Sequence, residues 1–212
     1  PVWLSGAGSV LRRGASLAPL GDESFWTARR LNGAGEMLFA WMPGNLAPTR
    51  VMARAFGDDG VARGAAVTVA ELTAPASRVS AVTVPGGYLL AWTQQVGPGE
   101  QQHTLVTAPV DARARPVGRP AAVAGVRLWR DAGFALMPSG GGVLAVWVDS
   151  LDGITGVLRA APLSAQGDFL GPDLVLHAGR FVRRPAVVPT PGGALVAWEG
   201  PGDTFRRAVY TQ

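Results

Sequence analysis

An all-β chain built from repeated sheets is what this sequence predicts, on three observations. One seven-residue phrase recurs four times: GEMLFAW ending at Trp41, GGYLLAW at Trp92, GGVLAVW at Trp147 and GGALVAW at Trp198. Glycine (29) and proline (17) exceed a fifth of the 212 residues. They follow no Gly-X-Y period, which suits short strands and tight turns. Helix is disfavoured because prolines and glycines break nearly every window of helical length, and the apolar runs between them are strand-sized.

The elements repeat in a set order. Each unit opens on a leading strand: RVSAVTV, GFALMPS and PAVVPT, with FWTARRLN in that place in the first unit. The phrase follows, apolar on both faces, as a strand between two neighbouring sheets must be. Its Gly-Gly supplies the tight turn from the leading strand, and its Trp supplies bulk between sheets. A turn-rich stretch comes next (MPGNLAPT, TQQVGPGEQQ, VDSLDGIT, EGPGDT), then a second apolar run (RVMARAF, HTLVTAPV, GVLRAAPL, RRAVYTQ). A polar turn (GDDGVARG, DARARPVG, SAQGDFLG) leads to a fourth piece: AAVTVA, RPAAVAG or PDLVLHAG.

Spacing extends the argument. The tryptophans at 41, 92, 147 and 198 stand 51, 55 and 51 residues apart, and continuing from Trp198 through the two ends to Trp41 adds 55. Four-stranded units of that size match the blades of a β-propeller. The last unit lacks its fourth piece, and WLSGAGSVLRRGASLAPL near the N-terminus resembles it. The expectation is a single domain over 1–212: a four-bladed β-propeller of four-stranded antiparallel blades. Its units are 24–75, 76–130, 131–182 and 183–212 completed by 1–23, a Velcro closure of the two ends.

RRPAVVPTPGGALVAWEG and GVLRAAPLSAQGDFLGPDLVL also resemble a known class. They are similar to the propeller-type tandem repeats of secreted and surface proteins from GC-rich bacteria, myxobacteria among them. The resemblance implies a propeller fold and a bacterial extracellular, cell-surface or periplasmic location, and is nearly silent on activity. The first unit departs from the pattern in its leading strand. The aspartate that commonly follows the Trp survives only as Asp149.

Composition narrows the chemistry. With no cysteine there is no disulfide and no thiolate metal site. All 19 basic residues are arginine, and the net charge is +4. No basic run exceeds two residues, a poor footprint for nucleic acid, and no apolar run reaches the roughly 20 residues of a membrane helix. The two histidines, His103 and His177, fall at different places in different units and suggest no dyad or metal pair. Asp149 and Asp152, in DSLDG, are the weak metal candidates, since oxygen ligands suit calcium. The spacing lacks an alternating Asp-x-Asp loop, so a hairpin turn is the plainer reading. No cofactor motif is present. Acids for glycoside hydrolysis are scarce on the leading strands, with only Glu23 and Asp131 near their starts.

Arginines recur near those starts, and Arg78, Arg130, Arg183 and Arg184 are the candidate ligand-binding residues. Their offsets from the Trp differ among units, so a regular ring is not implied. Guanidinium pairs bidentately with carboxylate, sulfate or phosphate. From these residues the expectation is no enzyme but a binding, interaction or scaffold module, its partner a protein or an anionic glycan. The alternatives are a propeller-type carbohydrate-active enzyme, glycosidase or lyase, and a structural subunit of a larger assembly.

Overall fold

The computed structural model describes residues 2–4, 10–13, 25–30, 35–43, 49–96, 101–123, 125–129, 132–200 and 206–211, with only the backbone described for 2–4, 10–13, 25–30 and 206–211. The strands are, in order, β1 (Val2–Leu4), β2 (Val10–Arg13), β3 (Phe25–Arg30), β4 (Met37–Met42), β5 (Arg50–Phe56), β6 (Val67–Glu71), β7 (Ala76–Val84), β8 (Gly87–Gln95) and β9 (Gln102–Asp111). They continue with β10 (Ala121–Ala122), β11 (Leu128–Trp129), β12 (Phe134–Ser139), β13 (Gly142–Asp149), β14 (Thr155–Leu163), β15 (Leu174–Arg180), β16 (Arg183–Thr190), β17 (Gly193–Glu199) and β18 (Arg206–Thr211). All pairing is antiparallel. No helix among the described residues is long and apolar enough to cross a membrane.

Four meanders organise the chain: sheet I is β3–β4–β5–β6, sheet II β7–β8–β9–β10, sheet III β12–β13–β14–β15 and sheet IV β16–β17–β18. The leading strands lie in succession, β3 against β7, β7 against β12 and β12 against β16. The short β11 was not anticipated. Leu128 pairs with both His103 of β9 and Asp149 of β13, which stitches sheets II and III into one nine-stranded sheet. The expected closure of the ends is not what the backbone shows. β1 pairs with β2 as a separate two-stranded sheet, and β18 ends a three-stranded one. Nor do β16 and β3 make contact of the kind that joins the other leading strands. The N-terminal piece resembles a fourth strand in composition, but its two strands pair with each other rather than with β18.

Packing explains the recurring phrase. Side chains alternate across a strand, so Leu38, Ala40 and Met42 of β4 meet Tyr88, Leu90 and Trp92 of β8 in the core between sheets I and II. Leu89 and Ala91, on the other face of β8, join Val143, Ala145 and Trp147 of β13. Leu144, Val146 and Val148 then join Ala194, Val196 and Trp198 of β17. In each core a Trp from the later sheet packs against the earlier one. Trp41 sits with Phe39 and Phe56 on the face of sheet I turned from sheet II. All four tryptophans are buried.

The turns recur as geometry too. Between β7 and β8 the two-residue loop Pro85-Gly86 carries φ +80° at Gly86, as a type II turn requires at that place. Between β12 and β13, Gly140 and Gly141 are both left-handed (φ +53° and +85°), the pattern of a type I′ hairpin. At the same end of three sheets a second turn repeats, between the third and fourth strands. The N–H groups of Gly60, Ala114 and Gly167 donate to the carbonyls of Gly57, Asp111 and Ser164, three residues back. Asp111 and Ser164 each accept two further backbone N–H bonds through their side chains, which is why polar residues recur there.

Candidate functional site

The leading strands begin at one mouth of the row of sheets, and two of them begin with a defect. In β7 the register slips by one residue between Ser77 and Ser80, and in β16 between Arg183 and Ala186. Each slip is a β-bulge, and the extra residue is an arginine in the left-handed region: Arg78 at φ +57° and Arg184 at φ +44°. A bulky side chain there costs about 1–2 kcal/mol. In sheet III the same place is held by Gly133, at φ +85°, where glycine carries no such cost. In sheet I the leading strand has no slip, and β3 pairs with β4 without interruption. Arg78, Gly133 and Arg184 each stand fourteen residues before the Trp of their sheet.

These three positions meet. A Cβ placed on Gly133 would lie 3.2 Å from Nη1 of Arg78 and 3.6 Å from Cα of Arg184. The bulge also turns the Arg184 N–H toward sheet III, where it donates to the carbonyl of Ala132 at 2.8 Å. Arg78 is half-buried, and no hydrogen bond or ion pair to it occurs among the described residues. Arg184 is exposed, and its Nη1 donates to Oε1 of Glu199 at 3.2 Å, with side-chain exposures of 63% and 42%. An ion pair that open to water is weak.

The other two candidates do not join them. Arg183 donates to the carbonyl of Gly153 at 3.3 Å and lies over the ring of Phe181, 5.8 Å from its centroid. It is a packing residue between the DSLDG turn and sheet IV. Arg130 lies outside the described residues, as do Glu23 and Asp131. The signal that separates Arg184 from its neighbour Arg183 is the fourteen-residue offset, shared with Arg78.

The DSLDG turn lines a cleft of about 480 Å³ with Arg127 and Thr155, at the seam that β11 closes. Its two carboxyls are already committed. Oδ1 of Asp152 accepts the N–H groups of Ile154 (2.8 Å) and Thr155 (2.7 Å), and those bonds hold its pKa below the ordinary carboxylate value. Ser150 closes the turn from inside, donating to the carbonyl of Thr155 and accepting from the N–H of Gly153. Asp149 faces Arg159 at 3.3 Å, an arginine it shares with Asp173. Burial raises the pKa of Asp149, with Arg159 and Arg127 opposing. Among the described residues no group of three His, Cys, Asp or Glu is placed to hold a metal. His103 is buried in sheet II, and His177, in sheet III, stacks on Trp198 with centroids 5.2 Å apart.

No protein-family model and no curated protein matches this sequence. Solved structures do match its fold. A glycoside hydrolase family 43 β-1,3-galactosidase, solved with galactodeoxynojirimycin, superposes with a TM-score of 0.54 at 13% identity. The match covers 98% of this chain and 75% of that one. The exo-β-1,3-galactanase of Phanerochaete chrysosporium, solved with galactose, superposes with a TM-score of 0.50 at 9% identity over 96% of this chain. The chain spans about half of the galactanase, 47% of its length. At such identities the likeness is one of fold, and both are propeller proteins. It corrects the expectation of a non-enzymatic binding or scaffold module. The two structures that share this fold are glycoside hydrolases, the class that the carbohydrate-active alternative names. The scarcity of acids on the leading strands is a count along one chain, and it does not show which acids meet in space.

Proposed function

We propose that sheets I to IV are four blades of a β-propeller that acts on carbohydrate as a glycosidase, with substrate approaching the mouth where β7, β12 and β16 begin. The observation that carries this reading is the fold likeness to the β-1,3-galactosidase over nearly the whole chain. The mouth supports it: it gathers bulges and left-handed residues, features that cluster at functional sites. Glycoside hydrolysis ordinarily takes two carboxyl groups, one giving a proton to the leaving oxygen and the other acting on the sugar or on water. Asp149 and Asp152 are poor choices, since one is ion-paired and the other ties a turn. In the sequence, Glu23 stands two residues before β3 and Asp131 three before β12. They are the acids assigned to this reading.

The test is release of reducing sugar from β-1,3-galactan and from β-1,3-galacto-oligosaccharides. The expected result is turnover that falls at least about a hundredfold in Asp131→Asn and in Glu23→Gln, the usual scale for losing a general acid or base. If no glycoside in a broad panel is cleaved, the glycosidase reading fails. Turnover unchanged in both variants removes the assignment of the acids.

A further inference from the structure

We propose that Arg78 and Arg184 form a receptor for the anionic group of an acidic saccharide, a uronate carboxylate or a sulfate ester, held over Gly133. The proposal rests on the carbohydrate reading and deepens it by naming the class of sugar.

Strain is the first argument. The backbone at this register requires a left-handed residue in three sheets, and Gly133 shows that glycine meets the requirement. In the two flanking sheets a long cationic side chain occupies the strained place instead. Tandem arginine does not account for it. Arg183 precedes Arg184 but stays in register opposite Glu199 and packs elsewhere, while Arg78 has no arginine neighbour. A bulge re-aims the side chain it carries, and here two bulges serve arginines that flank one glycine.

Charge is the second argument. Two like charges at one mouth repel unless something anionic lies between them. Among the described residues Arg78 is half-buried with no carboxylate partner, and Arg184 has as its ion pair only the open one with Glu199. A guanidinium has five N–H donors in a planar fork that fits carboxylate and sulfate. Among the described residues most of those donors have no partner at either arginine. The third argument is proximity: with no side chain, Gly133 lets the Arg78 guanidinium reach across sheet III toward the Arg184 bulge, where a Cβ would lie 3.2 Å from Nη1 of Arg78 and 3.6 Å from Cα of Arg184.

The test is calorimetric titration with three β-linked disaccharides: one ending in a uronate, its neutral counterpart with a hydroxymethyl in place of the carboxyl, and an O-sulfated counterpart. Inorganic sulfate is a fourth probe. The variants are R78G and R184G, which suit the left-handed backbone and so separate loss of binding from loss of folding, with R183Q as control. The expected result is binding of a charged sugar about tenfold or more tighter than of the neutral one, as for charge-assisted recognition. R78G and R184G should each abolish that preference, with R183Q within about twofold of the parent and added salt weakening the charged arm. Preference for the uronate over the sulfated sugar, or the reverse, identifies which anion the receptor takes. If charged and neutral sugars bind alike, or R183Q loses as much as R78G, the receptor is overturned while carbohydrate binding stands. If only inorganic sulfate binds, through Arg78 and Arg184, the anion site stands and the carbohydrate reading falls.

Discussion

β13 and β17 carry nearly the same phrase, GGVLAVW and GGALVAW, and each is the second strand of its sheet. Their surroundings differ. From Gly142 to Val148 every residue of β13 is buried, whereas along β17 buried residues alternate with half-buried ones. Sheet III lies between sheets II and IV and has a core on each face. Among the described residues sheet IV shares a core with sheet III alone, through Ala194, Val196 and Trp198, and on its leading strand Val188 is half exposed. The same residues are thus a two-faced core strand in one place and a one-faced strand in the other. Sequence confers the capacity to be buried on both faces, and the neighbours decide whether it is used.

The largest effect should come from the centre of that contrast. Trp147→Ala empties a buried site between sheets II and III and should cost about 3–5 kcal/mol, measured by urea unfolding. A loss under about 1 kcal/mol would mean that the ring does not hold the two sheets together. The next comparison pairs two leucines. Leu144→Ala, in the core between sheets III and IV, should cost about 2–5 kcal/mol. Leu195→Ala, on the half-open face of β17, should cost less than about 1 kcal/mol. Equal losses would show that something covers the second face of sheet IV in solution.

Turn glycines sharpen the comparison further. A Cβ on Gly142 would overlap the carbonyl of Leu163, whereas one on Gly192 would meet nothing. Gly142→Ala should therefore cost about 1–3 kcal/mol, as overpacking does. Gly192→Ala should be neutral or stabilise by a few tenths of a kcal/mol, by restricting the unfolded chain. The order is read from denaturation midpoints, and its reversal would refute the register of these hairpins.

The smallest effect concerns pH. Burial raises the pKa of Asp149 in the folded state, so between the ordinary carboxylate value and that raised value the folded protein binds more protons than the unfolded one. Asp149 should then lower stability as pH rises through that window, with Arg159 limiting the effect. Asp152, with its pKa held down by backbone N–H bonds, acts in the opposite sense and loses its contribution as pH falls. Midpoints of Asp149→Asn and Asp152→Asn, measured against the parent across the acid range, should diverge in opposite directions. Parallel curves would contradict these assignments.

Much of the fold was legible, and for local reasons. The phrase declares a strand because it is short, apolar on both faces and preceded by glycine. The polar turns declare themselves because Asp111 and Ser164 satisfy backbone N–H groups that a tight turn leaves unpaired. The site was legible only in part. Arginines were singled out near the starts of the leading strands, but Arg183 was grouped with Arg184 although the two face different neighbours. Arg-Arg-Pro contains no cue that the second arginine is left-handed, since arginine rarely adopts that conformation. The stitch made by β11 was illegible for a similar reason. A two-residue strand has no periodicity to read, and Leu128 is a strand residue only because β9 and β13 both reach it.

By itself, then, the sequence determined the strand phrases, the turns, the four repeats and the residues able to fill cores between sheets, because these follow from alternation, from glycine's backbone freedom and from side-chain size. Tertiary structure alone decided which faces those cores cover, that the N-terminal hairpin pairs with itself, and that Arg78 and Arg184 flank Gly133 while Arg183 does not. Each of those outcomes depends on contacts between residues far apart in the chain, and local propensity carries no information about which distant backbone will supply the partner.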